Sequence, residues 1–180
     1  MSLAPRLETD RLILRPFELR DFDAWVGFCA DPEVVPFVFG RPLSRPEAWQ
    51  GFAAMAGLWS LRGFGMWALE ERETGAFVGR AGFDYPETSG YADLETGWLL
   101  GRPYWGRGLA LEAAVAVCNH AFGALDRREV VSIMRPENER SIRLAQRLGM
   151  TQRRTIDFDG LPACLFAVSR DVWSFGARQG

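Results

Sequence analysis

Chemistry is concentrated in Tyr104-Trp105-Gly106-Arg107-Gly108-Leu109-Ala110, a glycine-punctuated, arginine-bearing turn where a strand gives way to a helix. The N–H groups of a first helical turn have no partner inside the helix. The helix dipole favours negative charge there, and glycines let a phosphate approach the backbone. The turn reads as an anion cradle. A Walker-type loop is excluded, because no Gly-Lys-Ser/Thr ending follows. A dinucleotide fingerprint would need a third glycine at position 111, where Leu111 stands, and no repeated strand-helix-strand pattern surrounds it.

Composition removes other chemistries. All 21 basic residues are arginine, so no lysine can act as a nucleophile or form a Schiff base. Cys29, Cys118 and Cys164 are scattered and His120 is the one histidine, so no metal site is expected. The odd cysteine count also argues against a disulfide framework and fits a reducing compartment. A net charge of −2 leaves no footprint for nucleic acid. Glu8 and Asp10 stand where a signal peptide would need apolar residues, and no apolar run nears the ~18 residues of a membrane span. A cytoplasmic protein with no membrane contact is expected.

The elements that must position the turn follow from periodicity. Arg11 to Pro16 reads as a first strand, and Phe22, Trp25, Val26 and Cys29 fall at helical spacing. Val34 to Phe39 is demoted to a loop or short turn by Pro36. Ser44 and Glu47 form a capping-box signature for a helix running to about Ser60. Met66 to Glu70 and Phe77 to Phe83 read as strands, followed by the strand Asp93 to Leu100 and the helix Leu109 to Phe122. On that helix Cys118 reads as core filling, and His120 as a residue that complements the dipole. A short strand, Glu129 to Met134, precedes a helix from Ser141 to Leu148 that Gly149 stops. Thr151 to Phe158 and Ala163 to Ser169 flank the turn signal Asp159-Gly160. The order β-α-α-β-β-β-α-β-α-β-β implies one mixed α/β domain over residues 1–180, its central sheet partly parallel and partly antiparallel.

The turn resembles the acyl-CoA loop of the GNAT superfamily of N-acyltransferases, whose pattern is Gln/Arg-x-x-Gly-x-Gly/Ala. Trp105-Gly106-Arg107-Gly108-Leu109-Ala110 matches its glycine and its alanine, while Trp105 departs at the first position. Three further segments, in family order, resemble the branch of ribosomal-protein N-terminal (alanine) acetyltransferases. They are Leu7 to Arg15, Pro136 to Arg143 leading to Leu148-Gly149-Met150, and the C-terminal hairpin ending near Asp171-Val172-Trp173. The resemblance spans nearly the whole chain. It implies a GNAT fold, with a mixed sheet flanked by about four helices.

By that resemblance, the CoA pyrophosphate lies on the N–H groups of Gly106, Arg107, Gly108, Leu109 and Ala110. The pantetheine arm pairs with the main chain of Trp98, Leu99 and Leu100 like an added strand, and Asn138 holds it. Arg140, Arg143 and Arg147 share a helix face that either meets the 3′-phosphate of CoA or is solvated. Glu95 is the candidate general base: desolvation on a strand would raise its pKa toward working pH. The other reading of Glu95 is a carboxylate that faces solvent or only orients the amine. Ser141 matches the position proposed to protonate the leaving thiolate; the plain alternative is a helix N-terminal serine. A tyrosine common in the family four residues later is replaced by Ala145. Phe37, Phe39, Phe83 and Tyr85, with Trp67, either wall the acceptor pocket or belong to the core.

The implied function is transfer of an acetyl group from acetyl-CoA to a primary amine, by direct attack in a ternary complex of a monomer or homodimer. The amine would be a protein N-terminus or a small molecule. The rival is a GNAT-fold module that binds acyl-CoA or a protein without catalysis.

Overall fold

The computed structural model describes residues 4–84, 94–158 and 160–173. Its regular elements follow the expected order, with two additions. Leu7–Glu8 (β1) pairs antiparallel with Leu12–Arg15 (β2), aligning Leu7 with Leu14. A two-residue strand leaves no periodicity to read, and so β1 was not foreseen. Phe22–Ala30 (α1) follows, then Val35–Val38 (α2), a single helical turn with Pro36 in its first turn, where the missing N–H costs nothing. Arg45–Arg62 (α3) starts at Ser44, whose N–H and hydroxyl both donate to Glu47 (2.8 and 2.6 Å), and it ends at Gly63 in the left-handed region.

Met66–Glu71 (β3), Phe77–Asp84 (β4) and Leu94–Leu100 (β5) precede the helix Leu109–Gly123 (α4). Glu129–Met134 (β6), Glu139–Arg147 (α5), Thr151–Phe158 (β7) and Leu161–Ser169 (β8) complete the set. Helix α5 begins two residues earlier than the sequence suggests, because the Asn138 side chain accepts from the Ser141 N–H and caps it. The eight strands form one sheet in the order β1-β2-β3-β4-β5-β6-β8-β7. Strand β5 pairs with β6 in parallel, whereas β2 with β3, β3 with β4, β6 with β8 and β7 with β8 are antiparallel. The expected mixed sheet is present.

Contacts divide the chain into two compact units, Met1–Gly82 with Trp98–Ala113, and Phe83–Gly97 with Ala114–Gly180. In the first, Phe22, Trp25 and Cys29 of α1 and Phe52 of α3 pack on Ala68, Phe77 and Leu99 of the strands. The Trp25 indole N–H donates to the Ala48 carbonyl at 3.1 Å, so the polar end of this core ring is satisfied. Arg15 is buried on β2 and fully partnered: its guanidinium grips Asp21 with two 2.7 Å bonds and reaches Glu70 at 2.8 Å. Strands β4 and β5 approach so closely that a Cβ on Gly79 would lie 2.1 Å from the Leu99 carbonyl oxygen.

In the second unit, Val131, Leu165 and Ala167 form a cluster bordered by Ile133 and Ile156. Trp173 donates from its indole to Asn119 (2.7 Å) and packs on Phe122. All three cysteines are buried. Burial pushes the Cys118 thiol up to about 12, as befits a core residue. His120 stacks on Phe83, and its burial lowers the imidazole pKa. Among the described residues, no helix is long and apolar enough to cross a membrane.

Candidate functional site

The cradle belongs to the first unit and is built by a run of tight turns. Beyond β5, Arg102–Tyr104 makes one 3-10 turn, and the Trp105 indole donates back to the Leu100 carbonyl at 2.7 Å. Gly106 (φ 73°) and Gly108 (φ 79°) then take left-handed conformations that open α4, with Leu109 buried beneath. Gly106, Arg107 and Gly108 are exposed. This is the strand, glycine turn and helix start that the sequence implied.

What the sequence did not reveal is how the turn is held. Arg11 donates from Nη1 to the Arg107 carbonyl (2.7 Å) and from Nε to Glu112 (2.7 Å). Thr9 donates its hydroxyl to the same carboxylate at 2.6 Å, and the Arg11 N–H does so at 2.8 Å. A trans peptide points its C=O and N–H in opposite directions, so fixing the Arg107 carbonyl toward Arg11 turns the Gly108 N–H the other way. The arrangement also resolves an electrostatic conflict. Glu112 sits in the first turn of α4, where a carboxylate suits the dipole but would repel a phosphate unless a cation balances it. Arg11 supplies that balance. Its Nη2 lies 3.4 Å from where a Gly108 Cβ would be, so the clamp sits directly against the turn. The sequence held one faint signal, an acidic residue four positions after Gly108.

Arg107 leans over the Tyr104 ring and pairs with Glu71 of β3. Hydrogen bonds from Thr74 and from Arg107 hold the Glu71 carboxyl below its usual range. For Glu112, burial opposes ionisation, but the bonds from Thr9 and Arg11 outweigh it, and its carboxyl too lies below the ordinary range. A depressed carboxylate stabilises the folded state above its unfolded pKa, and that contribution is lost as pH falls through the folded value. Glu112→Gln is therefore expected to lower Tm at pH 7 and to flatten the loss of Tm between neutral and acid pH. Thermal unfolding of both proteins across pH 3–7 checks this; parallel curves would remove the clamp from the pH response.

Leu99 and Leu100 turn buried side chains inward, and Trp98 is partly exposed. The remaining candidates on the donor and catalytic side lie in the second unit. Glu95 is buried at 7% exposure and stands opposite Val131 of β6. Among the described residues, the β5–β6 ladder pairs Leu94 with Val130 and Glu95 with Val131. Ser141 is partly exposed in the first turn of α5, and Asn138 spends its carbonyl oxygen as the cap. Ala145 is fully buried. Arg143 is exposed and pairs with Glu139 at 2.9 Å, a surface contact of little worth that an anion could displace.

The proposed acceptor residues are not all alike. Phe37 is 39% exposed on α2, and Phe39 is partly buried with its ring edge-on to Trp25 at 5.9 Å. Phe83 has no exposed surface and stacks on His120, so it offers an acceptor nothing in this conformation. Trp67 is likewise buried, its indole donating to the Pro5 carbonyl. Tyr85 lies outside the described residues.

Residues 11–151 match the family model described as an acetyltransferase (GNAT) domain. The chain belongs to the GNAT acetyltransferase family. An N-acetyltransferase called p20 from Bacillus licheniformis is 31% identical over 79% of this chain and 80% of its own length. A crystal structure of an acetyltransferase from Agrobacterium tumefaciens superposes with a TM-score of 0.83 at 32% identity, covering 92% of this chain and 95% of that one. At 17% identity and a TM-score of 0.76, the ribosomal L7/L12 α-N-protein acetyltransferase RimL, in complex with coenzyme A, shares the fold over 93% of this chain and 99% of its own.

Proposed function

We propose that this protein transfers an acetyl group from acetyl-CoA to a primary amine, by direct attack in a ternary complex. The observation that carries this reading is the pinned, exposed glycine turn at Gly106 to Gly108 that opens α4. The pyrophosphate is assigned to the N–H groups of Gly106, Arg107, Gly108, Leu109 and Ala110. The pantetheine arm is assigned to the main chain of Trp98 to Leu100 and to Asn138, and the short β5–β6 ladder supports this added-strand reading. Arg143 is assigned to the 3′-phosphate. The solved structure of RimL, which has the same fold, is a complex with coenzyme A. The family model runs from residue 11 to 151, through both units, which supports reading residues 1–180 as one catalytic domain; its branch, that of the ribosomal-protein acetyltransferases, is assigned on the sequence resemblance alone. A cytoplasmic monomer or homodimer, free of nucleic acid, membrane and metal, completes the reading.

Amine attack needs a neutral nucleophile, a stabilised thioester oxygen and a proton for the departing thiolate. Glu95 is the proposed base and Ser141 the proposed acid. The burial of Glu95 supports its part, since a desolvated carboxylate is a better proton acceptor. Phe37, Phe39 and Tyr85 are the proposed acceptor wall, and the buried Phe83 is kept out of it.

One observation favours the rival. Ala145 fills a buried position where the family resemblance implies a common tyrosine, so that acid is missing and a non-catalytic acyl-CoA module remains the second reading. Calorimetric titration with CoA, followed by measurement of thiol release from acetyl-CoA over a panel of amines, separates the two. Turnover is expected with at least one amine class; tight CoA binding with no turnover on any acceptor favours the module. Gly108→Trp is expected to abolish CoA binding, since any side chain there is strained at φ 79° and fills the cradle. Normal binding by that variant would move the phosphate site elsewhere.

A further inference from the structure

Two arginines of the first unit are treated in opposite ways. Arg15 is saturated by Asp21 and Glu70. Arg80, on β4 opposite Ala68 of β3, is not. Its Nε is buried without a partner, and its Nη1 donates to the Met66 thioether sulfur at 3.2 Å. Sulfur is a poor acceptor for a guanidinium with five donors. The charge centre lies 5.8 Å from the centroid of the Trp25 ring. No carboxylate pairs with Arg80 among the described residues. Cys29 does not neutralise it, for burial pushes that thiol up to about 11 despite the downward pull of the Arg80 charge. A partly buried cation with an orphaned donor is costly to keep, and an anionic ligand would satisfy it.

Surroundings narrow the anion. The buried Trp25 ring lies beside the Arg80 charge, and Phe39 meets that ring edge-on, in the segment assigned above to the acceptor. One cation balances one negative charge, and a planar guanidinium fork in an aromatic setting suits a planar monoanion better than a dianionic phosphate. We infer that Arg80 binds a carboxylate of the acceptor, making the favoured substrates amines that also carry a carboxylate, such as amino acids and their derivatives. The inference rests on the acetyl-transfer reading for its substrate role. The anion seat itself stands on Arg80 alone.

The test compares amino acids with their decarboxylated amines, at fixed acetyl-CoA, for the wild type, Arg80→Gln and Arg80→Lys. Wild type should prefer the carboxylate partner by about tenfold to a hundredfold in kcat/KM, as a charge-assisted bidentate contact is worth. Arg80→Gln should lose that preference through the acceptor KM, with CoA binding unchanged, and Arg80→Lys should recover part of it. A wild type without preference, or an Arg80→Gln variant that keeps it, overturns the assignment. A second measurement does not depend on turnover. Titration with N-acetylglycine should change the tryptophan fluorescence of wild type and Arg80→Lys but not of Arg80→Gln. If that response is found while no amine is acetylated, the anion seat holds and the acetyl-transfer reading fails. No response, or a response to inorganic phosphate alone, sinks the carboxylate seat. Because removing an unpaired cation relieves strain, Arg80→Gln should melt no lower than wild type, so a folding failure would itself count against an unpartnered Arg80.

Discussion

Glu95→Gln is expected to lower kcat by about a hundredfold or more, within the range that a positioned general base contributes, while CoA affinity stays within about twofold of wild type. The substitution keeps the shape of a side chain that is only 7% exposed and removes its capacity to take a proton. A base has a second signature: the low-pH limb of kcat should flatten in the variant, because ionisation of Glu95 no longer gates the reaction. A residue that merely orients the amine would raise the acceptor KM and leave that limb intact. Ser141→Ala is a clean companion. The helix cap uses the Ser141 backbone N–H, so alanine removes the hydroxyl and leaves the bond to Asn138 in place. A tenfold or greater fall in kcat is expected if the hydroxyl protonates the thiolate. Full activity in both variants would withdraw both assignments.

Gly79→Ala should have the largest effect on stability. The added methyl would lie 2.1 Å from the Leu99 carbonyl oxygen and 2.8 Å from the Leu100 Cα, both of them backbone atoms of β5. Backbone cannot rotate aside as a side chain can, so β4 and β5 would have to part. The Gly101 N–H, which donates to the Val78 carbonyl at 3.0 Å, would lose its partner as well. A loss of about 4 kcal/mol or more is expected, a large share of a typical total of about 5–15. Gly57→Ala is the matched control. Gly57 lies in α3 with nothing near its Cβ position, and alanine there should stabilise by about 0.5–1 kcal/mol. Thermal unfolding distinguishes them, and a Gly79→Ala protein that melts within about 2 °C of wild type would contradict the close approach.

Much of the fold was legible because long periodic segments and strong punctuation agree. Strands β6 and β7 begin and end where alternation and turn residues place them. Gly149, at φ 81°, ends α5 as its sequence position implied. Short elements were not legible: β1 is too brief to show a period, and α5 was extended by a side-chain cap that periodicity does not register. For the site, the turn at Gly106 to Gly108 could be read locally, since its geometry follows from glycine and a helix start. The clamp could not. Arg11 and Glu112 are 101 positions apart, and nothing in their neighbours announces that they meet. Arg80 was invisible for the opposite reason. In sequence it is an ordinary strand residue, and only its unpartnered Nε and lack of a carboxylate among the described residues set it apart from Arg15. Phe83 shows the converse limit, because strand alternation cannot say which face an aromatic takes, and its side chain went wholly inside.

The burial of Cys29, Cys118 and Cys164 has a consequence at the bench. Thiol-specific dyes react with accessible thiolates, and these sulfurs are enclosed, two of them with pKa values pushed well above neutrality. The chain also lacks lysine, so it carries no side-chain amine for acetyl-CoA to acetylate. The folded enzyme is therefore a silent background in a colorimetric assay: colour that develops over time reports free coenzyme A, and unfolding would announce itself as extra colour from the protein.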